Sequence, residues 1–254
     1  MEGYNPIFAG IDILRASGRV RETYVYAALD SHRELLALGN GDRDEVLAYF
    51  GGQAAAYVAI NAPRQPNTGA VSQANLQGHG LLTEHPDQPA NMRLCEHLLQ
   101  ALGFKPTPTP DTVTACPGWV RKGFSLYQGL KAFGYQIFPQ ADGPHQLMET
   151  HSEAVFWRLL KGKTPLPNSL EGRLQRQLIL HSIQMPVPDA MDFFLEITRF
   201  KLIQGELPDQ DIHTYEELNA LAAAHIAWQA AHEPASLELL GDPDEGQIAL
   251  PVFP

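Results

Sequence analysis

The run Ile7-Phe8-Ala9-Gly10-Ile11-Asp12-Ile13 decides how the rest of the chain is read. Every residue but Asp12 is apolar or glycine, which predicts a central strand buried on both faces. The lone carboxylate is costly in such a strand unless it meets a cation or a hydrogen-bond donor. Outward from this run, Arg15–Arg21 is a polar turn, Thr23–Leu29 is rich in strand formers, and Asp30–Arg33 turns the chain into Glu34–Leu38. Short polar turns between such runs predict an antiparallel meander. Gly39–Gly41 breaks the pattern, and Asp42 is placed to cap a helix over Arg43–Phe50. Ala55–Ile60 is a fourth strand, ended by Pro63.

The middle of the chain changes character. Asn67–Ala90 has little periodicity and is long for a loop, and such loops are usually functional or mobile. A helix is expected from Ala90 or Asn91, with Cys95, Leu98, Leu99 and Leu102 on one stripe. Lys105–Gly118 is punctuated by prolines, and Val120–Phe133 reads as helix. His145–Thr150 is a short fifth strand, Ser152 is placed to cap the next helix, and Glu171–His181 is another. Thr214 and Glu217 form a capping box that opens the last helix. The alanines of that helix allow close approach to a sheet. The segment from Pro234 is acidic and broken by Pro and Gly, and is expected to wrap or fray. The order predicts an α/β fold, a mixed sheet flanked by helices. One domain over residues 1–233 would carry a helical insertion around 91–140, with an acidic tail over 234–254.

With 254 residues, 44% hydrophobic and 19% charged, the chain has the composition of a folded protein. No stretch reaches the roughly 20 apolar residues of a membrane span, and the start lacks the pattern of a signal peptide. Two cysteines, Cys95 and Cys116, are too few for a disulfide scaffold or a structural zinc cluster. A cytoplasmic location is expected. The net charge of −11 lies entirely in residues 182–254, with 13 acids against two bases. An acidic chain is a poor general nucleic-acid binder. The local exception is Arg158, Lys161, Lys163, Arg173 and Arg176, which would either face phosphates or form a solvated helix face.

Phosphate-loop, dinucleotide, nucleophile-elbow and zinc motifs are absent. What remains is a set of acids and amides at strand ends: Asp12, Asn61 after the fourth strand, and Glu149 ending the fifth. Asn219 lies one turn into the last helix. Oxygen-rich sets of this kind suit Mg²⁺ or Mn²⁺, and paired ions of that type cleave phosphodiesters. Spacing alone leaves other roles open: Asp12 as a hydrogen-bonded structural acid, Asn61 as a turn former, Asn219 as an interior polar residue. A nucleotide-binding reading akin to the actin-like ATPases finds only one glycine in the turn after Asp12.

Gly10-Ile11-Asp12, Ala59-Ile60-Asn61-Ala62-Pro63, Arg93-Leu94-Cys95-Glu96, Glu149-Thr150-His151 and Asn219-Ala220-Leu221-Ala222-Ala223-Ala224 occur in this order. Together with Glu171-Gly172-Arg173, they resemble the domain-of-unknown-function family 429, whose members are predicted nucleases with a ribonuclease H-like fold. The resemblance implies a five-stranded mixed sheet of order 3-2-1-4-5. It implies a divalent-metal site with Mg²⁺ or Mn²⁺ held by Asp12 and Glu149, and with Asn61, Asn219 and Glu96 in catalytic places. Arg93 would hold a phosphate, and His151 would be a general base or phosphate ligand. The loop Asn67–Ala90 would gate the site.

The chain departs from the family pattern by having Asn, not Asp, at positions 61 and 219. At ~4 Å and an effective dielectric near 20, one unit-charge pair is worth roughly 4 kcal/mol. Losing two such charges should weaken metal binding by orders of magnitude. The alternative to a nuclease is then a non-catalytic binding or scaffold protein that keeps the fold.

Overall fold

The computed structural model describes residues 5–15, 23–69, 92–139 and 143–253. Strand β1 (Ile7–Ile13) is buried along its whole length. Its side chains alternate as a strand requires. Ile7, Ala9, Ile11 and Ile13 enter one apolar cluster, and Phe8 enters another on the opposite face, on the side of Gly10 and Asp12. Strands β2 (Tyr24–Leu29) and β3 (Leu35–Gly41) fold back as antiparallel neighbours. Helix α1 (Arg43–Gly51) is capped by Asp42, which accepts from the Asp44 and Glu45 backbone amides. Strand β4 (Ala56–Asn61) then runs parallel to β1 along its other edge.

The segment expected as a helical insertion carries α2 (Leu94–Ala101), a 3-10 turn at Val113–Ala115, α3 (Gly118–Ala132) and a two-residue strand β5 (Gln136–Ile137). Strand β6 (His145–Thr150) returns parallel to β4. Helices α4 (Ser152–Leu159), α5 (Leu170–Ser182), α6 (Asp192–Glu196), α7 (Arg199–Gln204) and α8 (Tyr215–His232) follow. The chain ends in β7 (Leu237–Asp242) and β8 (Gly246–Pro251).

The eight strands among the described residues form one mixed sheet in the order β3-β2-β1-β4-β6-β8-β7, with β5 beside β6. The five strands foreseen in the sequence sit next to one another as β3-β2-β1-β4-β6, but the count of five is corrected to eight. The largest correction concerns the segment from Pro234, which does not wrap or fray. It forms the β7–β8 hairpin, with β8 parallel to β6 at Glu149 and Thr150. Its turn is fixed by Asp242 Oδ1, which accepts from the Asp244 and Glu245 amides. Acidic residues and Pro at the ends of a short hairpin masked the apolar positions Leu240, Ile248, Ala249 and Leu250, which are buried.

Helices cover both faces. Side chains of α1 and α3 pack with Ile7, Ala9, Ile11 and Ile13, whereas α4 and α8 belong to the cluster of Phe8 and Met148. Helix α8 lies against β1, β2 and β4 and comes unusually close. A Cβ built on Gly10 would stand 2.0 Å from the Ala220 carbonyl oxygen and 2.2 Å from the Ala224 nitrogen. Only a glycine in β1 facing an alanine-rich helix allows that approach, and it sets Asn219 directly over the Asp12 end of the strand. Thr214 caps α8 as expected, accepting from the Glu217 amide while Glu217 accepts from Thr214.

Two helix starts differ from expectation. Helix α2 begins at Leu94, behind Arg93, and α4 is capped by His151 rather than Ser152. The Arg15–Arg21 turn, apart from Arg15, and the Asn67–Ala90 loop, apart from its first three residues, lie outside the described residues. Among the described residues no helix is long and apolar enough to cross a membrane.

Candidate functional site

Strand register places the site residues. Asp12 stands opposite Asn61 across β1 and β4, and Ile60 stands opposite Glu149 across β4 and β6. Because facing residues on parallel strands point the same way, Asp12 and Asn61 share the α8 face and Glu149 takes the opposite one. The two carboxylates expected to converge on one cation are therefore divided between the faces of the sheet.

On the α8 face a closed polar network surrounds Asp12. Asn61 Nδ2 donates to Asp12 Oδ1 at 2.6 Å, and Asn219 Nδ2 donates to Oδ2 at 3.2 Å. The Ser152 amide donates to Asn61 Oδ1 at 3.0 Å, which fixes the way the Asn61 amide points. Ser152 Oγ donates to the Asn219 carbonyl at 3.1 Å. Three elements, β1, β4 and α8, are thus tied together at the start of α4. Burial pushes the Asp12 carboxyl up to about 6, against the opposing pull of the Asn61 and Asn219 hydrogen bonds and the more distant Arg15. Asn219 Oδ1 is buried without a hydrogen-bond partner.

A cavity of about 330 Å³ opens on this network, lined by Asp12, Asn61, Asn219, His151, Arg15 and Glu216 among others. His151 Nδ1 accepts from the Ala154 amide at 3.3 Å, so the proton of the neutral ring is on Nε2. Burial, then the Arg15 charge, holds the imidazole pKa down at about 4, and His151 is neutral at physiological pH.

Glu149 belongs to a different structure. Arg93 grips it with both terminal nitrogens, Nη1 to Oε2 at 2.9 Å and Nη2 to Oε1 at 2.5 Å, and the Arg64 amide adds a third donor. Arg93 Nε donates to Glu96 Oε1 at 2.9 Å. Thr109 closes on Glu96 through its backbone amide and its hydroxyl. Glu245 of the β7–β8 turn accepts from the Leu94 amide at 2.8 Å and so caps α2. Gly246 beside it leaves room for the guanidinium, since a Cβ there would stand 2.6 Å from Arg93 Nη1. Arg93, Glu96, Glu149, Thr109 and Glu245 are each 3% exposed or less. The Arg93–Glu96 pair is buried, and Arg93 commits three of its five guanidinium N–H donors, Nε and one on each terminal nitrogen, to Glu96 and Glu149. A cavity of about 50 Å³ is lined by residues of both networks, among them Asn61, His151, Arg93 and Glu149.

These positions do not fit a divalent-metal centre. Mg²⁺ and Mn²⁺ take oxygen donors, yet Asn61 and Asn219 both turn their NH₂ groups to Asp12 and so occupy the sides of the carboxylate where a cation would bind. Glu149 would have to leave Arg93, which would strand a buried charge. Among the described residues no group of three or more His, Cys, Asp or Glu side chains is placed to hold a metal ion.

In the basic segment 158–176, two of the five cations are held by acids of the fold. Arg158 pairs with Glu238 of β7 at 2.5 Å and lies over Phe253. Arg176, fully buried, pairs with Glu153 at 2.8 Å and donates to two backbone carbonyls. Sequence reading also missed Arg15, Tyr215 and Glu216 at the cavity and Thr109 and Glu245 around Arg93. Tyr215 and Glu216 carried a signal, lying four and three residues before Asn219 on one helix, whereas Thr109 and Glu245 reach Arg93 and its partners only through tertiary contacts.

A family model described as a protein of unknown function (DUF429) matches residues 10–245. No curated protein and no solved structure matches the chain.

Proposed function

The chain belongs to the DUF429 family of proteins of unknown function, and we propose that it is a non-catalytic binding protein, with a ligand cleft at the positions where the resemblance implied a metal-dependent nuclease site. The observation that carries this reading is the pairing of Asp12 with two neutral amides. Asn61 and Asn219 supply to the carboxylate the donors that paired cations would otherwise replace. The Arg93–Glu149 pair supports it from the other side by removing the second acid. We also read the sheet as ribonuclease H-like. The order β3-β2-β1-β4-β6, in which β2 alone runs antiparallel to the other four, supports that assignment.

The test is cleavage of RNA, single-stranded DNA and branched DNA in millimolar Mn²⁺ by the purified protein, beside Asp12→Ala. The reading expects no cleavage that depends on Asp12. Metal-dependent cleavage abolished by Asp12→Ala would overturn it and restore the nuclease.

A further inference from the structure

We propose that the Asp12 cleft binds a small organic cation, a primary ammonium or guanidinium head on a body of about ten heavy atoms. This deepens the reading above and rests on it. Asp12 is buried, and among the described residues its side chain accepts hydrogen bonds from two neutral amides, which solvate the charge without balancing it. Beside it, Asn219 Oδ1 is a buried acceptor with no partner, in a side chain that lines the cavity and is 5% exposed. Glu216, on the same wall, adds a second carboxylate. A third, Glu153, is already engaged by Arg176 and the Tyr215 hydroxyl.

The opposing charge in the cavity is Arg15, whose guanidinium is drawn 4.6 Å over the Trp119 ring. Neutral His151 neither repels a cation nor balances an anion. An anionic ligand would have to face Asp12 and Glu216 together, an unfavourable like-charge contact. The volume of about 330 Å³ holds on the order of ten water-sized units. That is too large for a lone ion and suits a molecule of the size named.

The experiment is a titration of the full-length protein with agmatine at constant ionic strength, followed by the side-chain amide resonances of Asn219 and Asn61 and by melting temperature. Inorganic phosphate, n-pentanol and MgCl₂ are titrated in parallel. The expected result is saturable shifts at both amides and a rising melting temperature with agmatine alone. Asp12→Asn, which removes the charge, should weaken that binding tenfold or more, and Asn219→Leu several-fold. If either variant fails to fold, the wild-type shift map still decides. Silence of both amides toward agmatine, or saturable shifts with phosphate or pentanol instead, overturns the proposal. Silence toward agmatine and Mg²⁺ together leaves the non-catalytic reading standing, whereas stoichiometric Mg²⁺ binding at these amides breaks that reading itself.

Discussion

Asp12 holds its proton more tightly in the folded chain, at about 6, than the 3.8 of a free carboxyl. Burial is the main cause. A raised carboxyl pKa contributes stability that is complete below about pH 4 and lost as pH climbs through 6, with a ceiling of ~3 kcal/mol. His151 acts in the opposite direction. Its pKa is held near 4 against the usual 6.5, so stability is lost as pH falls between those values. Comparing wild type with Asp12→Asn by urea unfolding at pH 4 and pH 7 isolates the acid. The wild type should lose up to ~3 kcal/mol relative to the variant between the two, and a constant difference would contradict the assignment.

Arg93 is the second residue whose environment sets its role. Arg93→Met leaves two buried carboxylates without their cation and should cost about 3–5 kcal/mol in urea unfolding. The double variant Arg93→Met with Glu149→Leu should recover only part of this, because Glu96 stays buried and loses the same partner. Asp12 was legible as a functional candidate from one charge in an apolar strand. The enclosure of Glu149 was not, because its partners come from residues 64 and 93, far from it in sequence.

At the scale of elements, the contact of β1 with α8 builds the site. The sequence announced both halves, a glycine before Ile11-Asp12 and a helix rich in alanine. It did not announce that they meet with almost no space between backbones. Gly10→Ala would drive a methyl group into the Ala220 carbonyl. The expected cost is about 3 kcal/mol or more, the upper end of overpacking penalties, read as a lowered urea midpoint or loss of soluble protein. A neutral result would mean that α8 can lift away, taking Asn219 from Asp12. Strands β1 to β4 and the capped helices α1 and α8 were readable because apolar and strand-forming runs, turns and capping residues are local signals. Hairpin β7–β8 was not, since its burial depends on pairing with the distant β6 and on ion pairs such as Arg158–Glu238.

For the whole molecule, the hairpin changes what the acidic C-terminal third means. Four of its acids lie in residues 234–254, and three of them are structural: Glu238 pairs with Arg158, Asp242 fixes the β7–β8 turn, and Glu245 caps α2. A chain ending at Glu233 would expose the free edge of β6 and uncap α2. It should melt well below the full-length protein in a calorimeter, or fail to fold, whereas an unchanged melting temperature would return the segment to a dispensable tail. The excess negative charge of residues 182–254 is in part spent inside the fold.

The central claim is that two asparagine amides, not cations, satisfy Asp12. Calorimetric titration of MnCl₂ into the wild type and into Asn61→Asp with Asn219→Asp addresses it directly. No binding heat from the wild type and measurable heat from the double variant is the predicted result. Stoichiometric Mn²⁺ binding to the wild type that disappears in Asp12→Ala would contradict it.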